Sequence, residues 1–111
     1  MEVKELRIGN YLMYDGYFIK SYSVYGFINI IKNIDNYEPI PLTEEWLVKF
    51  GFLLDLHHHR RLTYSLNRIT TYMQDGIFWC DILWDCLEIK YVHQLQNLYF
   101  ALTNEELIIL N

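Results

Sequence analysis

The residues best suited to chemistry crowd into one segment, Asp55-Leu56-His57-His58-His59-Arg60-Arg61. In an extended strand Asp55, His57 and His59 fall on one face, and imidazoles beside a carboxylate are zinc ligands. A closed zinc site takes about four ligands, each held by further hydrogen bonds, and the sequence offers no fourth. The segment is therefore read as a solvated hairpin loop, with no metal and no cofactor. Its second chemistry is cationic. Arg60, Arg61 and Arg68 are three of the nine Lys and Arg residues, interleaved with His57, His58, His59 and Tyr64. Guanidinium groups offer planar, multi-donor contacts to carboxylate or phosphate, and histidines change charge near neutral pH. Aromatic rings among bases also suit single-stranded RNA. Strand alternation argues against that reading, because it points Tyr64 inward and sets Arg60 and Arg61 on opposite faces.

Two cysteines, Cys80 and Cys86, are expected to face each other across a hairpin turn at Trp84-Asp85. Their spacing is wider than the C-x-x-C of a redox pair, so both are read as small buried hydrophobes with reduced thiols. No Ser or Cys sits in a recognisable nucleophile elbow, and no glycine loop resembles a phosphate cradle. His93 could be paired with either cysteine on paper, yet it fits better in the first turn of a helix. The expectation is a protein without catalytic residues.

Composition narrows the field further. Fourteen acidic against nine basic residues give a net charge of −5. A protein that coats nucleic acid or an anionic membrane needs a positive field, which this balance does not supply. The acids are scattered without a run of like charge, so the chain does not read as a nucleic-acid mimic either. Met1 to Arg7 alternates charged and apolar residues and lacks the apolar core of a secretory signal. No apolar stretch reaches the ~18–20 residues of a membrane span. These features predict a cytoplasmic location. Ten Tyr, six Phe and three Trp are more rings than a small core absorbs, since a chain of this size buries about 60–70% of its unfolded surface. Some tyrosines must be exposed, where a ring with a polar tip makes a good contact residue. Tyr14 and Tyr17, beside the first turn, are the tyrosines predicted to contact a partner.

The elements that must position these residues follow from turn chemistry and periodicity. At 111 residues, with no linker or repeat, the chain is expected to form one domain over residues 1–111. Asn10 to Tyr14 and Tyr17 to Tyr22 flank Asp15-Gly16, a two-residue hairpin signal. A second turn near Tyr25-Gly26 and the β-branched run Phe27 to Lys32 predict a third strand, giving a meander that could curl into a small barrel. Glu38-Pro39-Ile40-Pro41 reads as an extended connector. The strongest helix signal is Thr43 to Phe50, with Thr43 as N-cap, Glu44 and Glu45 in the first turn, and Gly51 at the left-handed end. Trp46, Leu47 and Phe50 mark its inner face.

Strands are then expected at Phe52 to Leu56 and at Leu62 to Asn67, the latter with Leu62, Tyr64 and Leu66 inward. A turn at Gln74-Asp75-Gly76 precedes Ile77 to Trp84, apolar on both faces and so expected to be central, and Cys86 to Tyr91 follows. His93 to Leu102 spaces Leu95, Leu98, Tyr99 and Leu102 as the inner stripe of a second helix ended by Asn104. Leu107 to Leu110 reads as a closing strand or an ordered tail. The fold class is α+β: a mostly antiparallel sheet with two short helices, about 43–50 and 93–102, on one face.

Four stretches carry a wider resemblance: Leu6-Arg7-Ile8-Gly9-Asn10-Tyr11, Pro39 to Leu47, Lys49-Phe50-Gly51-Phe52, and Ile89 to Thr103. Together they resemble a family of small uncharacterised proteins carried by bacteriophages and integrated elements of bacteria. The chain departs from that pattern at Asp55 to Thr71, where the family has a shorter polar hairpin, and at Asn104, where it more often has Gly. The resemblance implies a mobile-element setting, in which small proteins often act by binding a host protein; inhibitors of nuclease-based immunity such as anti-CRISPR proteins are one such class. Two functions are carried forward. The first is a non-enzymatic effector that binds a host protein, with a nuclease or ribonucleoprotein as the expected partner. The second is a small RNA-binding adaptor using the His57–Arg68 hairpin.

Overall fold

The computed structural model describes residues 1–55, 62–82 and 85–110. It is an α+β fold with two open antiparallel sheets, one of three strands and one of five. The chain divides into two compact units, residues 1–41 with 91–105, and residues 42–90 with 106–111.

The first unit begins with a 3-10 turn at Val3–Glu5 and the hairpin β1 (Tyr11–Tyr14) and β2 (Tyr17–Lys20). Asp15 and Gly16 both take positive φ, 48° and 81°, the pairing that a type I′ turn demands. The run after the hairpin is not the expected third strand. Ser23 caps helix α1 (Val24–Lys32) by accepting a hydrogen bond from the amide of Gly26. The β-branched isoleucines favour a strand locally, but Phe27, Ile30 and Ile34 recur at helical spacing, and this tertiary contact prevails. Those three pack with Leu6, Leu12 and Tyr37 as the core of the unit. A short strand β3 (Tyr37–Glu38) then pairs with β1, giving the order β2-β1-β3. The sheet stays open, so the expected barrel does not form. Pro41 bridges to Tyr91, and the amide of Val92 donates to Ile40 O at 2.8 Å. Helix α3 (Val92–Thr103) completes the unit and ends at Asn104 in the left-handed conformation.

The second unit opens with α2 (Glu44–Lys49), and its ends match the sequence expectation closely. Thr43 Oγ1 accepts from Trp46 N. At the other end Phe52 N donates to Leu47 O and Gly51 N to Val48 O, the pair of bonds that defines a Schellman ending. Five strands follow as a meander in sequence order: β4 (Leu53–Asp55), β5 (Leu62–Leu66), β6 (Ile69–Gln74), β7 (Ile77–Ile82) and β8 (Asp85–Ile89). Strand β6 is unforeseen, because the turn before it, Asn67-Arg68, lacks the glycine that usually marks such a turn. It is also the central strand, so β7 lies next to the edge rather than in the middle.

The expected inner face of β5 holds at Tyr64, which is buried, and in part at Leu66, which is half-buried, but not at Leu62. Leu62 is exposed and Thr63 is buried opposite Tyr72, since the middle of the sheet is covered on both sides. The two cysteines do not face each other. Cys80 pairs with Leu87 and Cys86 with Asp81, which sends the thiols to opposite faces of the sheet. Residues 107–110 form an ordered tail, with Leu110 N donating to Lys49 O at 2.8 Å. The helices are thus distributed between two sheets, with α1 and α3 in the first unit and α2 in the second, not gathered on one face of a single sheet.

Candidate protein-interaction face

The aromatic surplus of the sequence emerges in the first unit. Tyr14 and Tyr17 are the last pair of the β1–β2 hairpin and are 43% and 72% exposed. Tyr14 packs its ring against Tyr37 at 5.0 Å. Phe18 is exposed opposite Met13, on the sheet face away from buried Leu12. Beyond the hairpin Tyr22 and Tyr25 stand in solvent at 84% and 86%. Between them and the strands, the Lys20 ammonium lies over the rings of Tyr11 and Tyr22, 5.3 and 5.4 Å from their centroids. Burial, and then the neighbouring Tyr22, push the Tyr11 hydroxyl above the ordinary tyrosine range.

Helix α1 explains why these residues face outward. Its sequence is apolar on nearly every side, yet Ile30 is its one fully buried residue. Val24, Tyr25 and Ile28 fall at i, i+1 and i+4 and are exposed, while Phe27 and Ile30 fill the inner face. An apolar helix stripe with no partner in its own unit departs from the polar outer face of an ordinary surface helix. From Tyr14 to Ile28 the chain therefore displays a succession of large exposed side chains.

The sequence-predicted site residues are distributed unevenly. Tyr14 and Tyr17 are brought together at the hairpin tip. Arg68 is in the second unit, exposed in the β5–β6 turn with φ 73°. His57, His58, His59, Arg60 and Arg61 lie outside the described residues. Phe18, on β2, and Tyr22, before α1, were missed because the sequence does not tell which side of the hairpin stays uncovered. Val24, Tyr25 and Ile28 were missed because reading residues 27–32 as a strand hides the outer stripe of a helix. The signal was present in Ser23 as a cap and in the spacing of Phe27, Ile30 and Ile34.

A second polar assembly, also unforeseen, organises the same unit. The N-terminal strap, Glu5 to Tyr11, lies on α3 and is clamped by its side chains. Gln96 Oε1 accepts from Tyr11 N at 2.8 Å, and Gln96 Nε2 donates to Gly9 O at 2.9 Å. Asn97 Nδ2 donates to Glu5 O at 2.7 Å, and its Oδ1 accepts from Asn10 Nδ2 and Arg7 Nε. The Arg7 guanidinium also covers the Phe100 ring at 4.3 Å. This clamp is why the buried stripe of α3 is Val92, His93, Leu95, Gln96 and Tyr99, with Leu102 left exposed. Polar side chains occupy inward positions because strap backbone groups need partners there.

Among the described residues, no three of His, Cys, Asp and Glu come together as a set of metal ligands. No helix among them is long and apolar enough to cross a membrane. Comparison of the chain with protein-family models, curated proteins and solved structures finds no match.

Proposed function

We propose that this chain is a non-enzymatic effector that binds another protein through the aromatic face of its first hairpin and α1. The observation that carries the reading is the exposure of Tyr17, Tyr22 and Tyr25, each more than two-thirds in solvent. Tyrosine on a rigid element supplies large contact area with few torsions to freeze, which suits a docking surface. The net charge of −5 favours a protein over a nucleic-acid partner. The resemblance to mobile-element proteins makes a host defence nuclease, alone or as a ribonucleoprotein, the partner class to try first.

The test is capture from a bacterial lysate by the immobilised chain, with and without nuclease treatment. Combined Tyr17→Ser, Tyr22→Ser and Tyr25→Ser replacement is expected to abolish capture while moving stability by less than about 0.5 kcal/mol per site, as exposed substitutions do. Nuclease treatment is expected to leave capture intact. Undiminished binding by the triple variant would overturn the assignment of this face, and loss of capture on replacing Arg60, Arg61 and Arg68 with Ser would move the site to the His/Arg hairpin. Tight binding of bare RNA at about 150 mM salt would replace the reading with the RNA adaptor.

A further inference from the structure

His93, in the first turn of α3, is 1% exposed, yet neither Nδ1 nor Nε2 has a hydrogen-bond partner among the described residues. Buried polar groups are nearly always paired, so an imidazole with both nitrogens unmet calls for a physical account. Its surroundings belong to the strap and to the start of the helix. The ring stacks on Tyr91, 5.7 Å between centroids and 8° from parallel. Glu5 Oε2 lies 3.9 Å from Nε2, and the N-terminal ammonium is the other charge acting on the ring. Glu5 is itself strap: its carbonyl accepts from Asn97, and its carboxylate accepts from Glu2 N. His93 therefore sits under the segment that Gln96 and Asn97 clamp.

We propose that His93 is an acid-released latch for the strap Glu5 to Tyr11: the neutral imidazole accommodates the closed strap, and protonation opens it. An imidazolium carries two N–H donors and a full charge, and the closed site offers it one half-exposed carboxylate beyond hydrogen-bond length. Opening lets water solvate both donors. Burial pulls the His93 pKa below the ordinary histidine value and outweighs Glu5, which pulls it up, while the N-terminal ammonium adds to the lowering. The sign follows. A freed imidazole titrates near its ordinary value of about 6.5, so below that pH the open form binds more protons than the closed one. Closure is complete above about pH 6.5 and is lost as pH falls toward the lowered closed-state value, by up to about tenfold per pH unit.

Hydrogen exchange tests this without any partner. Protection factors for the amides of Leu6 to Tyr11, referenced to those of β6, are followed from about pH 7.5 down to about pH 4, so that the acid end of the fall is included. The expected result is a fall of up to about tenfold per unit below about pH 6.5, absent in His93→Gln. A pH-independent strap in the wild type, or an equal fall in His93→Gln, overturns the proposal. Should His93→Gln not fold, Glu5→Gln decides. Removing the carboxylate that favours the imidazolium lowers the closed-state pKa further, so the fall must continue to more acid pH than in the wild type. A profile unmoved by Glu5→Gln overturns the latch equally.

Discussion

Each cysteine takes its character from its side of one hairpin. Cys80 points into the core at 1% exposure, and burial, followed by the neighbouring Asp81, pushes its thiol up to about 11. Cys86, one register step away on the opposite face, is exposed. Alkylation requires both access and the thiolate. Iodoacetamide near pH 8 should therefore label one site per native chain, and Cys86→Ser should remove that labelling. Cys80 should react on unfolding in denaturant. Two equivalents incorporated by the native protein would show that the register of β7 and β8 differs from the one described. The same logic of sidedness separates Leu62 from Tyr64 and Tyr25 from Phe27: identity alone does not tell which ring is covered, because the decision belongs to the element that carries it.

Elements were legible in the sequence wherever local and tertiary preferences agree. Helix α2 is the clearest case, with cap, first-turn acids, inner aromatics and left-handed ending all present in residues 43–52. Two substitutions separate the cap from the core. Thr43→Ala removes one capping bond and should cost about 1 kcal/mol, whereas Trp46→Ala empties a buried site against Phe50 and should cost about 3–5 kcal/mol. Urea unfolding of both variants checks the order, and equal small effects would show that this face of α2 is not core. Legibility failed where the two preferences conflict. In α1 the isoleucines favour a strand and the spacing of Phe27, Ile30 and Ile34 favours a helix. In the turn before β6, Arg68 occupies a left-handed position that sequence signals assign to Gly or Asn. The candidate face was half legible for the same reason: Tyr14 and Tyr17 flank an unmistakable Asp-Gly turn, but Tyr25 joins Val24 and Ile28 in one exposed stripe only once α1 is known to be helical.

At the scale of the whole molecule, the two units are interleaved along the chain. The first unit is closed by helix α3, which begins at Val92, far along the chain from the end of β3 at Glu38, and long-range polar contacts such as Gln96 with Gly9 and Tyr11 join it to the strap. Sequence periodicity does not reveal such contacts, because Gln96 and His93 look like surface residues until the strap's unpaired backbone groups are placed beside them. The second unit is likewise completed from far away, by the tail after Glu105. Leu107 is 2% exposed, Ile108 is 59% exposed, and Leu110 returns a backbone bond to Lys49. A tail that merely trailed along the surface would tolerate loss of either side chain. A tail that fills core must distinguish them. Leu107→Ala should thus cost about 2–5 kcal/mol, in the range of buried Leu truncations, while Ile108→Ala should stay within about 0.5 kcal/mol. Hydrogen exchange on both variants locates the loss: the amides of β5 to β7 should lose protection in Leu107→Ala and keep it in Ile108→Ala. Similar, small effects from both would mean that the five-stranded unit closes its core without the tail.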